Sequence, residues 1–492
     1  MIEDYSDNAH MAACGGLLPV IPHAEHRPAL REGKSGAWRT REELRDEAQA
    51  MARTLTSPNK RLVFILAEMG ADTVVSILAA AAAGHAVALV DPAMSGQKIA
   101  ALLEAYRPDF VLGPAPAPSL LADAGYSEQR LVLDSISLAE PAQETRSQDR
   151  NIDPALLLLL ATSGTTGSPR FVRLSRSAVL ANAIQIADAL AIDDESVAIA
   201  HLPLHYSYGW SVLASHFVRG ASAVLVEDSV MSRSFWDTTA EVGGSHFPGV
   251  PFHYTTLARL GLESIPRCVT TFTQAGGPLD LKTQTKMHEF AEERGARFYV
   301  MYGQTEASPR MTTLRHESFL DKVGSVGVAL PGGRLTIERD GVGLDAGQVG
   351  DVVYQGPNVM LGYADRREDL GKGDELNGRL ETGDVGYLDA DACLFLTGRT
   401  KRFAKIAGLR LGLDQLEKDF LPAGAVACVD GRDKVVVFYD EALEAALKDR
   451  VKAIALEYKI PAACLSLKRV AAIPRTAGGK INYGRLKEAE GV

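Results

Sequence analysis

Five consecutive leucines, Leu156–Leu160, constrain this 492-residue chain more than any other stretch. A short apolar run with no polar residue on either side of the pleat reads as a strand buried on both faces. Such strands belong to sheets covered by helices on both sides. The flanking pattern agrees. An amphipathic helix begins near Thr40, with Leu44, Ala48, Met51 and Leu55 on one face, after an irregular lead-in over residues 1–35. Strands Leu62–Leu66, Ala86–Val90 and Asp109–Leu112 then alternate with helices Asp72–Ala83 and Gln97–Tyr106. After the leucines come helix Arg176–Leu190, strand Ser196–Ala200, a helix near Trp210–Phe217 and strand Ser222–Val226. Helix Pro251–Leu260, strand Val269–Gln274, helix Leu281–Arg294 and strand Arg297–Met301 follow. Alternation of this kind predicts βαβ units and a parallel sheet.

The alternation breaks in the Gly/Pro-rich stretch from Gly324 to Gly350, after which strands are expected at Val349–Gln355 and Cys393–Thr397. The remainder reads as a small α+β unit: helix Asp414–Leu421, strand Lys434–Tyr439, helix Ala442–Tyr458 and strand Leu467–Ile473. The fold class expected is α/β, a large N-terminal domain of α/β subdomains with a β-rich part, plus a small mobile α+β C-terminal domain. The boundary is placed near Lys401, giving domains 1–400 and 401–492.

Directly after the leucine strand stands Thr162-Ser163-Gly164-Thr165-Thr166-Gly167-Ser168-Pro169-Arg170. Glycine lets backbone N–H groups approach and face an anion. The hydroxyls add donors, and Arg170 adds a planar cation suited to phosphate. The segment fits either an ordinary polar turn or an anion-binding loop. It is not a Walker loop, because no Gly-Lys-Ser/Thr follows Gly164 at the required spacing, and Gly478-Gly479-Lys480 runs into Ile481.

Composition narrows the classes. The chain is 46% hydrophobic and 23% charged, with a net charge of −10, which argues against a nucleic-acid or anionic-membrane surface. Cys14, Cys268, Cys393, Cys428 and Cys464 are scattered without paired spacing, as in a reducing compartment. The polar start MIEDYSDNAH is no signal peptide, and no apolar run nears the roughly 20 residues that span a bilayer. A cytoplasmic location is expected.

The loop resembles the phosphate loop of the adenylate-forming superfamily, which includes acyl- and aryl-CoA synthetases, peptide-synthetase adenylation domains and luciferases. Its usual form is T-S-G-T-T-G-x-P-K-G. Here Arg170 stands for the lysine and Phe171 for the last glycine. The resemblance extends in order along the chain. Leu202-Pro203-Leu204-His205-Tyr206-Ser207-Tyr208-Gly209 resembles the acyl-pocket segment, and Gln274-Ala275-Gly276-Gly277-Pro278-Leu279 the adenine-flanking turn. Tyr302-Gly303-Gln304-Thr305-Glu306 matches Y-G-x-T-E, and Thr382-Gly383-Asp384 matches T-G-D. Gly398-Arg399 opens the hinge motif, and Pro474-Arg475-Thr476-Ala477-Gly478-Gly479-Lys480 matches P-x-T-x-x-G-K.

The resemblance implies an ATP-dependent carboxylate ligase that forms an acyl- or aryl-AMP and pyrophosphate, then transfers the acyl group, with CoA the expected acceptor. A stand-alone amide synthetase or a carrier-protein loading ligase is the alternative. A binding protein on a decayed enzyme scaffold is a third class, which would leave Glu306, Asp384 and Lys480 unexplained. By the same resemblance Glu306 holds Mg²⁺, with Thr305 beside it, and Thr162, Ser163, Gly164, Thr165, Thr166, Gly167 and Arg170 cradle the ATP phosphates. Gly276, Gly277, Pro278 and Tyr302 flank adenine, while Asp384 and Arg399 reach the ribose or α-phosphate. Lys480 is expected to stabilise the charge that builds on the α-phosphate.

Lys401 is the implied hinge, Gly408 lines the route of an incoming thiol, and Glu417 closes the motif. Arg402 departs from the usual acidic residue. Tyr206, Tyr208, Gly209, Trp210 and Phe247 are the expected acyl pocket. Gly209 stands where amino-acid-activating relatives place an aspartate that grips an α-ammonium. A carboxylic acid with an aromatic or medium apolar body, held mainly by burial, is therefore the expected substrate.

Overall fold

The computed structural model describes residues 14–114, 121–122, 124–126, 130–141, 151–161, 170–399, 402–406, 409–431, 434–440, 443–458, 460–475 and 481–490. The expected loop Thr162–Gly167, and Lys401, Gly408 and Lys480, lie outside the described residues. The chain divides into two compact units. The first is Met1–Asp321 with Ala329–Arg334 and Gln355–Leu380; the second is Lys322–Val328 with Leu335–Tyr354 and Glu381–Val492.

The first unit holds two large sheets. In one, the leucine strand Leu156–Ala161 pairs in parallel with Ala86–Val90, which is followed outward by Leu62–Leu66 and Phe110–Gly113. All five leucines are 2% exposed or less, as a strand covered on both faces requires. Its other neighbour corrects the expected parallel order. Phe171–Ser175, to which the sequence reading assigns no element, turns back antiparallel to the leucines and carries Gly362–Ala364 on its far edge. Arg173 masks this strand in the sequence. It is wholly buried, its guanidinium donating to the carbonyls of Tyr363 (3.1 Å) and Leu361 (3.3 Å) and pairing with Glu375.

The second large sheet includes, in spatial order, Arg310–Leu314, Arg297–Gly303, Thr271–Gln274, His246–Gly249, Val197–Ala200, Ser222–Leu225 and, inside the short edge strand Arg39–Thr40, Pro28–Glu32. The last strand corrects the reading of residues 1–35 as irregular: Leu30 to Glu32 pair in parallel with Ala223 to Leu225. Helix starts follow local chemistry. Thr40 and Glu43 form a reciprocal capping box at Arg41–Ala52, and Ser175, Ser232 and Asp280 each accept from a backbone N–H of the first turn. The helix expected near Trp210 begins earlier, at Ser207, and every residue of Ser207–Phe217 is buried.

The second unit contains a five-stranded sheet ordered Val342–Gly343, Arg334–Arg339, Gly350–Gln355, Arg379–Leu388, Leu394–Arg399. Toward the C-terminus, Lys434–Tyr439 lies between Ala427–Gly431 (antiparallel) and Leu465–Arg469 (parallel). Its side chains alternate between two cores. Val435 and Val437 pack with Leu416, Phe420 and Ile454, while Val436 and Phe438 pack with Leu486. All five cysteines are free thiols, and no helix among the described residues is long and apolar enough to cross a membrane.

Candidate active site

In the first unit the strands Arg297–Gly303 and Arg310–Leu314 form an antiparallel pair, and the turn between them carries Thr305 and Glu306 on one short helical turn, Thr305–Ala307. Gly303 is required here, because a Cβ at this position would lie 1.9 Å from the Pro309 carbonyl oxygen. The buried Asn358 closes the turn from the other side. Its Nδ2 donates to the carbonyls of Ala307 (2.7 Å) and Arg310 (3.1 Å), and its own carbonyl accepts from Ser308 Oγ.

Held in this way, Thr305 Oγ1 sits 3.1 Å from Ser207 Oγ, at the start of the acyl-segment helix. Glu306 Oε1 accepts from Tyr363 Oη at 2.9 Å. The Tyr363 ring in turn lies 3.6 Å beneath the guanidinium carbon of Arg170, which also faces Asp365 at 3.4 Å. Burial, and then the Glu306 charge, push the Tyr363 phenol up, so it stays a donor. Arg170, at the exit of the expected phosphate loop, is thus joined to Glu306 through one tyrosine. No motif in the sequence points to Tyr363; its place follows from the pairing of Gly362–Ala364 with Phe171–Arg173.

The Gly276-Gly277-Pro278 turn follows strand Thr271–Gln274 and is tied by Gln274 Nε2 donating to the Gly277 carbonyl at 2.8 Å. Gly276 has φ +89°, and a Cβ there would come 2.5 Å from Tyr206 Oη, so the acyl segment and this turn meet at the glycine. Tyr302 is half-buried and sits opposite Thr312 in the same sheet.

Tyr206 and Tyr208 pack edge to face with centroids 6.2 Å apart, and Tyr208 Oη donates to the Thr273 carbonyl at 2.8 Å. Trp210 is buried, and its Nε1 has no hydrogen-bond partner among the described residues. Phe247 is fully buried in an aromatic cluster, stacked on His201 at 5.1 Å and close to Trp236 and Tyr254. Gly209 has no room for a side chain, since a Cβ would lie 2.2 Å from the Pro203 carbonyl oxygen and 2.7 Å from that of Leu202. Sequence reasoning missed Arg310, whose guanidinium lies 4.7 Å over the Tyr208 ring.

In the second unit Asp384 is buried and accepts from Arg399 Nε at 2.8 Å, the two facing each other across paired strands. Its backbone N–H donates to Thr382 Oγ1, which donates to the Val352 carbonyl. Arg402 sits at the centre of a network. It pairs with Asp414 and with Glu417 (2.8 Å), donates to the Cys428 carbonyl (2.9 Å), and stacks on Tyr483 at 3.7 Å. Among the described residues His288, Glu292 and His316 also cluster as metal-ligating types do. His316 Nδ1, however, accepts the Phe298 N–H, so Nε2 carries the proton donated to Glu292, and the pair is satisfied without a cation.

The family model for AMP-binding enzymes matches residues 22–364. A 2-succinylbenzoate–CoA ligase of Bacillus cereus (strain ATCC 10987 / NRS 248) is 31% identical over 361 residues, 71% of this chain and 73% of that protein. The 2-succinylbenzoate–CoA ligase of Bacillus subtilis (strain 168) is 29% identical over 401 residues, covering 77% and 80%. Among solved structures, the o-succinylbenzoate CoA synthetase MenE from B. subtilis with its acyl-adenylate intermediate has the same fold (TM-score 0.76, 22% identity, 94% of this chain and 95% of that one). So does ATP-bound MatB from Rhodopseudomonas palustris (TM-score 0.79, 22% identity, 98% and 99%). The chain belongs to the AMP-binding enzyme family, the adenylate-forming superfamily its motifs resemble. Within it, the chain is an ATP-dependent, AMP-forming acid ligase of the acyl/aryl-CoA ligase type.

Proposed function

We propose that the first unit activates an aryl or medium apolar carboxylic acid at the junction of Arg170, Thr305 and Glu306, and that the acyl group passes from its adenylate to CoA. The observation that carries this reading is the Arg170–Tyr363–Glu306 chain, which sets a cation and a carboxylate on one tyrosine at the end of the loop strand. Glu306 fits Mg²⁺: one carboxylate oxygen is fixed by Tyr363 and the other takes part in none of the described hydrogen bonds. Mg²⁺, when bound, would neutralise charge on the nucleotide phosphates.

We assign Thr162, Ser163, Gly164, Thr165, Thr166 and Gly167 to the ATP phosphates with Arg170, and Lys480 to the charge that develops on the α-phosphate. Gly276, Gly277, Pro278 and Tyr302 take adenine, and Asp384 and Arg399 take the ribose. Tyr206, Tyr208, Gly209, Trp210 and Phe247 line or back the acyl site. Lys401 is the pivot between an adenylating domain, 1–400, and a mobile domain, 401–492. The relatives are named for an aryl acid and for CoA, which favours both here, and five free thiols suit a cytoplasmic enzyme. The test is pyrophosphate exchange across aryl acids, fatty acids of graded length and amino acids, followed by mass analysis of the product with CoA, amines or a carrier protein. Exchange that no acid supports overturns the ligase reading; an amide as the only product overturns CoA as acceptor.

A further inference from the structure

Arg402 follows Lys401 directly, where the resemblance calls for an acidic residue, and it is held from three sides. Its guanidinium pairs with Asp414 and with Glu417 Oε1 (2.8 Å), donates to the Cys428 carbonyl (2.9 Å), and lies 3.7 Å over the Tyr483 ring. Glu417 completes the node: Oε1 also accepts the Cys428 N–H (2.6 Å), and Oε2 accepts from Tyr483 Oη (2.9 Å). Burial, and then the Glu417 charge, push the Tyr483 phenol up, so it stays a donor to that carboxylate. One tyrosine is thus fixed twice, by its face and by its hydroxyl.

Tyr483 opens the last helix, Tyr483–Glu490, three residues after Lys480. The chain just before it is tied down as well. Ile481 bridges antiparallel to Arg475, and the Asn482 N–H donates to the Pro474 carbonyl at 2.7 Å. The segment 476–480, which carries Lys480, therefore has its two flanks joined. Holding the helix in place does not need the tyrosine. Leu486 is 2% exposed in the core of Val436 and Phe438, and Glu490 pairs with Lys434 (3.3 Å) and Lys468 (2.6 Å). What Tyr483 adds is a fixed link from the root of the lysine segment to residue 402, beside the pivot. A charge that acts on a transition state must arrive close to its place, and an error of about 1 Å costs up to about 100-fold.

Resting on the assignment of Lys480 above, we propose that Tyr483 is a positioning residue for Lys480, and that Arg402 and Glu417 hold it in that role. Tyr483 touches no reacting atom; it acts through the lysine.

The test follows acyl-AMP formation in a single turnover, with enzyme in excess, labelled ATP and the acid that gives the fastest pyrophosphate exchange. Transfer to CoA is followed separately from the synthetic adenylate of the same acid. Tyr483→Leu is expected to slow acyl-AMP formation about 10- to 100-fold, with half-saturating ATP within about twofold of the wild type. Transfer should stay within about threefold, because that step breaks the carbonyl–oxygen bond and leaves phosphorus untouched. In a Lys480→Ala background Tyr483→Leu should lower the residual rate no further, since residues that act as a unit are not additive. The same comparison with Tyr483→Phe, whose ring still fills the space beneath Arg402, keeps the test on folded protein. Its loss should be smaller, and again absent in Lys480→Ala. A loss that recurs in full in the Lys480→Ala background, or that is equal in both half-reactions, overturns the proposal and leaves the ligase reading intact. Acyl-AMP formation by Lys480→Ala at the wild-type rate overturns the assignment of Lys480, and this proposal with it. Exchange that no acid supports overturns the ligase reading itself.

Discussion

A carboxylate that is to hold a divalent cation works best with one oxygen anchored, so that the other keeps its direction. Glu306 has this arrangement through Tyr363 Oη at 2.9 Å. Glu306→Gln is expected to lower pyrophosphate exchange by about 100-fold or more. Tyr363→Phe keeps the ring under Arg170 but loses the anchor, so the Mg²⁺ concentration for half-maximal exchange should rise by about 10-fold. A Mg²⁺ requirement unchanged in Tyr363→Phe would show that the anchor is irrelevant to the metal. Arg402 makes a stability argument of the same kind. It departs from the acidic residue expected by resemblance, yet it is mostly buried between Asp414 and Glu417, with side-chain exposures of 18%, 20% and 16%. Arg402→Ala leaves two carboxylates in the interior without their cation and should cost about 3 kcal/mol, read as a lower urea midpoint. A midpoint within error of the wild type would mean that the network holds nothing together.

Elements whose own residues agree with their environment were legible from the chain alone. Leu62–Leu66, Ala86–Val90, Pro251–Leu260 and Lys434–Tyr439 begin and end where periodicity and flanking residues place them. The strands that were missed carry residues whose partners are remote in sequence. Phe171–Ser175 contains a buried arginine satisfied by residues 361–375, Arg310–Leu314 is largely polar, and His246–Gly249 is four residues long with a proline and a glycine. The site divides in the same way. Thr305 and Glu306 are neighbours in one motif and so could be found, whereas Tyr363 and Arg310 acquire meaning only once strands pair. Gly209 was legible as a missing aspartate, but the reason lies in the helix: its Cβ would collide with two backbone carbonyls, which cannot swing aside. Gly209→Ala should therefore destabilise the protein by about 1–3 kcal/mol and impair exchange. For the same reason free amino acids should show no exchange above background, because the helix has no space for the carboxylate that would pair with their ammonium group. An α-amino acid as best substrate would mean that the counter-charge comes from another element.

Across the whole molecule the first unit buries an unusual set of neutral imidazoles. Burial holds His201 down to about 3, and His246 and His253 down to about 4; it drives His216 well below the usual histidine range. These rings pack against one another and against the aromatic core, His201 on Phe247 and His253, and His216 on His246. In the unfolded chain each regains an ordinary value near 6.5. Between pH 6.5 and about 4 the unfolded state thus binds protons that the native state refuses. Stability then rises with pH over this window, and it is lost as the pH falls. Each such histidine contributes a slope of up to about 1.4 kcal/mol per pH unit until its native value is reached. The protein should therefore be most stable above pH 7 and should lose urea resistance steeply between pH 6.5 and 5, before most carboxylates titrate. The measurement is the urea midpoint at half-unit steps from pH 5.0 to 7.5. A midpoint that stays level from pH 6.5 to 5 would mean that these histidines take up protons within the native core and that burial does not hold them neutral.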